Sequence, residues 1–200
     1  MKERPDLNKL AKEVFEANKA KGFHDEERSN ETLLMLVITE LSEAVEADRK
    51  NKRAKLERYN RKQESRNPLS DLPRTRAFQA DFEQTIKDTV EDELADAVIR
   101  LLDLAGLREM PIQYELNIGE DKKLSYKEKR FEFAEIIFNI TSCIFESRWK
   151  MNKLLLFDII SSVIRAIDAY CVLNSIDLWQ HVELKLKYNA TRPHKHGKKY

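Results

Sequence analysis

Apolar side chains recur at three- and four-residue intervals along most of this chain, and that period dictates helices rather than strands. The clearest runs are Leu33, Leu36, Val37, Leu41, Ala44 and Val45, then Ile86, Val90, Leu94, Ala97, Val98, Leu101 and Leu104. An all-β plan would also need frequent tight turns. Four Gly and five Pro in 200 residues leave little material for them. The expected fold is an all-α antiparallel helical bundle of five to six helices, built as a single domain over residues 1–200.

The punctuation of the chain sets approximate boundaries. A first helix is expected from about Asp6 to Lys21, closed by Gly22. Asn30 is the expected N-cap of a second. A third begins near Asp81 and stops at Gly106, a fourth covers about Ser125 to Ser147, and a fifth about Lys153 to Leu173. Ser175 or Asp177 can cap a sixth, which ends before Pro193. Residues 49–75 form a strongly basic insertion with Pro68 and Pro73, read as solvated and partly helical. Tyr59 is the only aromatic between Arg49 and Arg66, and Glu57 and Glu64 interrupt the charge, so a solvated helix or lid is favoured over a nucleic-acid patch. The tail after Arg192 is basic and expected to be extended.

Charge and hydropathy remove several function classes. Thirty-six basic residues against 35 acidic ones give a net charge of +1, so nothing pulls the whole chain toward nucleic acid or an anionic membrane. No signal peptide follows Met1, and no run of about 18 apolar residues occurs. Cys143 and Cys171 both sit in apolar helical patterns and read as buried thiols, which fits a cytoplasmic protein.

A weak internal repeat is also present. Val98-Ile99-Arg100 with Asp103 is echoed by Val163-Ile164-Arg165 with Asp168, a register that sets Glu93 against Asp158 and Asp96 against Ser161. The second helix, with Glu40 and Glu43, is echoed by polar positions from Asn139 to Glu146. A degenerate duplication of a helical hairpin and chance resemblance of amphipathic helices both account for this.

The carboxylates are the most informative residues. Glu40 and Glu43 are three apart, as are Glu93 and Asp96, which puts each pair on one helix face. Spacing alone proves little in so acidic a chain. The setting says more, because Glu40 continues the stripe of Leu33, Leu36 and Val37, and Glu93 and Asp96 sit among Val90, Leu94, Ala97 and Leu101. Carboxylates edging into an apolar face must be paired, protonated or bound to a cation. Too few basic residues share those faces to neutralise four anions. Hard oxygen ligands in this number suit Mg²⁺, with Mn²⁺ as a substitute. Solvated carboxylates at helix edges are the plain alternative. A di-iron site would need His three residues after a Glu, and none stands there.

Glu40-x-x-Glu43 followed by Glu93-x-x-Asp96, in the phrases Thr39 to Arg49 and Glu93 to Leu101, resembles the signature of the MazG-like, all-α nucleoside triphosphate pyrophosphohydrolases, which include dimeric dUTPases and dCTPase-like enzymes. Lys185, Asn189 and Arg192, with Lys198 and Lys199 in the tail, are spaced like the phosphate-binding residues of dimeric dUTPases. Two departures stand out: Thr39 precedes Glu40 where the family often has Glu, and the segment between the motifs is longer than in compact members.

The resemblance implies Mg²⁺-dependent hydrolysis of a (deoxy)nucleoside triphosphate to the monophosphate and pyrophosphate, in nucleotide-pool house-cleaning. Glu40, Glu43, Glu93 and Asp96 would hold metal, with Glu40 or Glu43 handling the attacking water. Lys185, Asn189, Arg192, Lys198 and Lys199 would bind phosphate, and Asn18, Phe23 and His24 lie where relatives contact the base. The expected partners are the nucleotide and a second copy of the chain in a homodimer, with neither nucleic acid nor membrane. A catalytically weak nucleotide- and metal-binding regulator, and a purely structural bundle, are the competing readings.

Overall fold

A computed structural model describes residues 2–65, 74–116, 131–146 and 153–194. Those residues contain helices and no strand. The helices are α1 (Leu7–Ala20), α2 (Asn30–Arg49), α3 (Leu56–Glu64), α4 (Arg74–Thr85), α5 (Val90–Leu107), α6 (Phe133–Glu146), α7 (Lys153–Leu173) and α8 (Leu178–Ala190). The chain is therefore all-α as expected, with eight helices among the described residues rather than five to six.

Capping chemistry explains the boundaries, including those that differ from expectation. Asp6 opens α1 by accepting from the backbone N–H groups of Asn8 and Lys9. Ser29, not Asn30, caps α2 by accepting from Thr32 N–H. The single helix expected from Asp81 to Gly106 is two. Asp88 takes φ +57°, and Thr89 caps α5, accepting from Asp92 N–H while its hydroxyl donates to the Ile86 carbonyl. Asp177 caps α8, the second of the two caps considered. Much of the helix expected from Ser125 lies outside the described residues.

α5 is the centre of the molecule. Arg108 just past its end bonds Asn30 at the start of α2, and Val90 N–H at its start donates to the Lys52 carbonyl beyond the end of α2, so the two helices are antiparallel. α1 packs on the opposite flank, also antiparallel: Asn8 bonds Ile112, and Gly106 lies against Ala11 and Phe15. A Cβ at Gly106 would stand 2.4 Å from the Ala11 carbonyl oxygen, so Gly here permits helix contact within α5 instead of ending it. The fully buried Leu41, Leu94, Leu101, Leu102 and Leu104 fill the resulting core, continued by Ile160, Ile164 and Ile167 of α7. Each such side chain contributes about 1.5–3 kcal/mol on burial.

The basic insertion is more structured than expected. α3 runs back along α4, with Lys55 N–H donating to the Thr85 carbonyl and Lys62 reaching Asp81. Tyr59, Phe78, Phe82 and Ile86 form a second apolar cluster with Leu184 and Tyr188 of α8, where Phe82 stacks on Tyr188 at 4.5 Å. Residues 66–73 lie outside the described residues. The cysteines also divide: Cys171 is buried and Cys143 exposed, so the buried-thiol expectation is corrected for Cys143, which sits on the outer side of α6. No helix of the described residues is long and apolar enough to cross a membrane.

Candidate metal centre and cleft

The antiparallel pairing of α2 and α5 brings Glu40, Glu93 and Asp96 together, with one carboxylate oxygen of each within 4.8 Å of the others. Glu40 and Glu93 are 2% and 5% exposed. Glu43 is not part of this group. One turn farther along α2, it is exposed, although its charge still presses on Glu40.

Counter-ions are present, contrary to the expectation that too few cations share these faces. Arg100, one turn beyond Asp96, places both Nε and a terminal nitrogen on the same Glu40 oxygen, at 2.6 and 2.5 Å. Lys185 of α8 is 6% exposed and donates to Asp92 at 2.8 Å, with Asp96 at 3.2 Å. Arg100 and Lys185 thus serve a group of four carboxylates, Glu40, Asp92, Glu93 and Asp96. Glu91 is neutralised separately by Arg53. No hydrogen bond or ion pair reaches the Glu93 carboxylate among the described residues.

The electrostatic consequence is consistent across the cluster. Burial, and then the neighbouring Asp92, Asp96 and Glu40 charges, push Glu93 up to about 8 despite Lys185. Burial raises Asp92 to about 6, against the pull of Lys185. Burial and Asp96 raise Glu40 above the ordinary carboxylate range, opposed by Arg100. Burial alone would lower Lys185, but Asp96, Asp92 and Glu93 outweigh it and hold the ammonium charged. Without a cation, these causes favour the protonated form of Glu93. A divalent cation held by Glu40, Glu93 and Asp96 fits this donor set: three hard oxygens, excess negative charge and a buried carboxylate with no other partner.

A cleft opens beside the cluster. It is lined by Asp96, Arg100 and Asp103 from α5, Asn18, Phe23 and His24 from the end of α1 and its following turn, and Asn189 and Arg192 at the end of α8. Of the residues assigned from sequence, Asp96 for metal, Asn18, Phe23 and His24 for the base, and Asn189 and Arg192 for phosphate thus border one space, while Glu40, Glu43, Glu93 and Lys185 do not line it. α8 runs parallel to α5 here, so Lys185 meets Asp92 and Asp96 while Asn189 and Arg192 reach the cleft. Gly22, at φ +81°, turns the chain after α1 and aims Phe23 and His24 inward. His24 Nε2 bonds Asp103 Oδ1 at 2.9 Å.

The cleft holds about 70 Å³, far below the roughly 300–1,000 Å³ of small-molecule pockets. A nucleotide therefore needs the cleft to widen. Lys185, assigned to phosphate, is committed to carboxylates in this state, and Lys198 and Lys199 lie outside the described residues. Arg100 and Asp103 were missed as site residues from sequence. The available signal was their spacing of four and seven from Asp96, which continues its helix face. Among the described residues the echoed hairpin carries no matching cluster, as Asn139 and Asp158 are exposed.

No family model, no curated protein and no solved structure matches this chain.

Proposed function

We propose that this protein is a Mg²⁺-dependent nucleoside triphosphate pyrophosphohydrolase whose reaction centre is the Glu40, Glu93 and Asp96 group. The observation that carries the reading is the buried, partnerless Glu93 carboxylate within 4.8 Å of those of Glu40 and Asp96, the last of which lines a cleft shared with Arg100, Asn189 and Arg192. A divalent cation in that group would neutralise phosphate charge and make the attacked phosphorus more electrophilic.

The chain supplies the remaining chemistry. Arg192 and the Asn189 amide hold the phosphate chain by charge and hydrogen bonding. Arg100 fixes one Glu40 oxygen and leaves the other for ligation. Between the two candidates for the water-activating base, Glu43 is the better placed, because Glu40 is tied to Arg100 and Glu43 is exposed next to it. The water oxygen attacks the α-phosphorus, its proton passes to Glu43, and the bridging bond to the β-phosphate breaks to release the monophosphate and pyrophosphate. Homodimer association belongs to the same proposal, and a sedimentation mass of one chain would count against it.

The test is product analysis by ³¹P spectroscopy after incubation with ribo- and deoxyribonucleoside triphosphates and Mg²⁺. Pyrophosphate together with a monophosphate supports the reading. Inorganic phosphate with a diphosphate places the cut elsewhere and contradicts it. The narrow cleft favours one competing reading, a nucleotide- and metal-binding regulator, which predicts metal-linked nucleotide binding without products.

A further inference from the structure

The end of the cleft away from the metal group is rich in polar side chains with unmet hydrogen-bonding capacity. The Asn18 amide makes no hydrogen bond among the described residues, and His24 is the sole partner of the Asp103 carboxylate there, on one oxygen. Asn18, His24 and Asp103 line the same space, alongside the apolar walls of Phe23, Leu33 and Ile99. A site with a flat apolar wall and unsatisfied polar groups at its edge suits a heteroaromatic ring.

The groups differ in what they demand. Either end of an Asn amide can be presented, so Asn18 suits donors and acceptors alike. Asp103 cannot adapt, since an ionised carboxylate only accepts. Its side chain is 14% exposed, and the His24 bond fixes its orientation. Position reinforces this. Asp103 lies seven residues beyond Asp96 on α5, two turns and about 10 Å along the same face. A nucleotide laid along α5 with its phosphates at Asp96 brings the far edge of its base to Asp103.

The echoed residue shows the same carboxylate with its hydrogen-bonding capacity met. Asp168 is 2% exposed and accepts from the Tyr114 hydroxyl at 2.9 Å and from Trp179. Its capacity is filled from within the fold. That of Asp103 is not.

Resting on the nucleotide reading above, we propose that Asp103, oriented by His24, accepts a hydrogen bond from an exocyclic amino group of the base. The substrates are then nucleotides whose base carries an exocyclic amino group, cytosine, adenine or guanine, in preference to uracil and thymine, which carry none. A keto oxygen against Asp103 would leave two acceptors facing each other.

The experiment compares kcat/KM for dCTP, dATP, dUTP and dTTP with Mg²⁺, for the wild type and Asp103→Asn, and measures binding of the four corresponding monophosphates by calorimetry. The wild type is expected to favour the amino bases by about tenfold or more. Asp103→Asn, whose amide can also donate, is expected to bring the ratio within about threefold. Equal or better use of dUTP and dTTP by the wild type overturns the inference without any variant, and so does an unchanged ratio in a folded Asp103→Asn. If no triphosphate is hydrolysed but dCMP and dAMP bind more tightly than dUMP and dTMP, hydrolysis fails and this inference stands. Absent or indiscriminate monophosphate binding, with no preference in turnover, sinks it.

Discussion

At the scale of single residues, the site is a conflict between stability and charge. Glu93 is a buried acid without a donor, so its carboxylate is tolerated when protonated or beside a cation. Glu93→Gln is expected to leave the metal-free melting temperature unchanged or higher, and to abolish the stabilisation that Mg²⁺ gives the wild type. Differential scanning fluorimetry with and without Mg²⁺ checks both. His181 gives a separate pH prediction. It is 3% exposed with Nδ1 unpartnered, and burial lowers its pKa against the opposing pull of Glu91 and Asp177. The unfolded chain binds a proton at His181 near pH 6.5 and the folded chain resists it, so this contribution to stability is present above pH 6.5 and is lost as pH falls below it. The melting temperature of the wild type should therefore drop relative to His181→Leu between pH 7.5 and 5.5. A constant difference would show that His181 is not buried as the neutral form.

At the scale of elements, helix type was legible in the sequence and helix ends were less so. The 3.6-residue period located α2, α5 and α7 because their apolar faces are long. The break at 86–89 was missed because Ile86 and Val90 keep the apolar spacing across it. The signal was local, in Thr89 three residues before Asp92, a capping pattern inside a continuous stripe. Gly106 was read as a stop when it marks a close approach, which depends on α1 and so cannot be seen in the local sequence. Gly106→Ala should improve helix propensity by about 1 kcal/mol yet destabilise the protein overall by about 1–3 kcal/mol, since its Cβ would meet the Ala11 backbone. A chemical-denaturation midpoint above that of the wild type would refute that packing.

At the scale of the whole molecule, α8 is the tie between the C-terminal part of the chain and the carboxylate hairpin. Lys185 was legible as a cation in a spaced motif, but its commitment to Asp92 and Asp96 depends on how α8 lies along α5, which no local pattern encodes. Truncating it leaves Asp92 buried without its counter-ion, so Lys185→Met is expected to cost about 3–5 kcal/mol. An equilibrium unfolding curve that matches the wild type would show the pair to be dispensable. The same long-range packing gathers the cleft. The pairs Glu40–Glu43 and Glu93–Asp96 could be read as helix faces, but that three of the four meet while Glu43 stays outside follows from the register of α2 against α5. Asp103 and Arg100 became visible as cleft residues only with the turn after α1 in place.

The most direct test of the account is pyrophosphate release from a panel of nucleoside triphosphates, with and without Mg²⁺, by the wild type and by folded Glu93→Gln. The account predicts release by the wild type that requires Mg²⁺ and falls at least 100-fold in the variant, on the order of what losing a metal-positioning or transition-state contact costs. Release that persists in Glu93→Gln, or none from any triphosphate by the folded wild type, would contradict it.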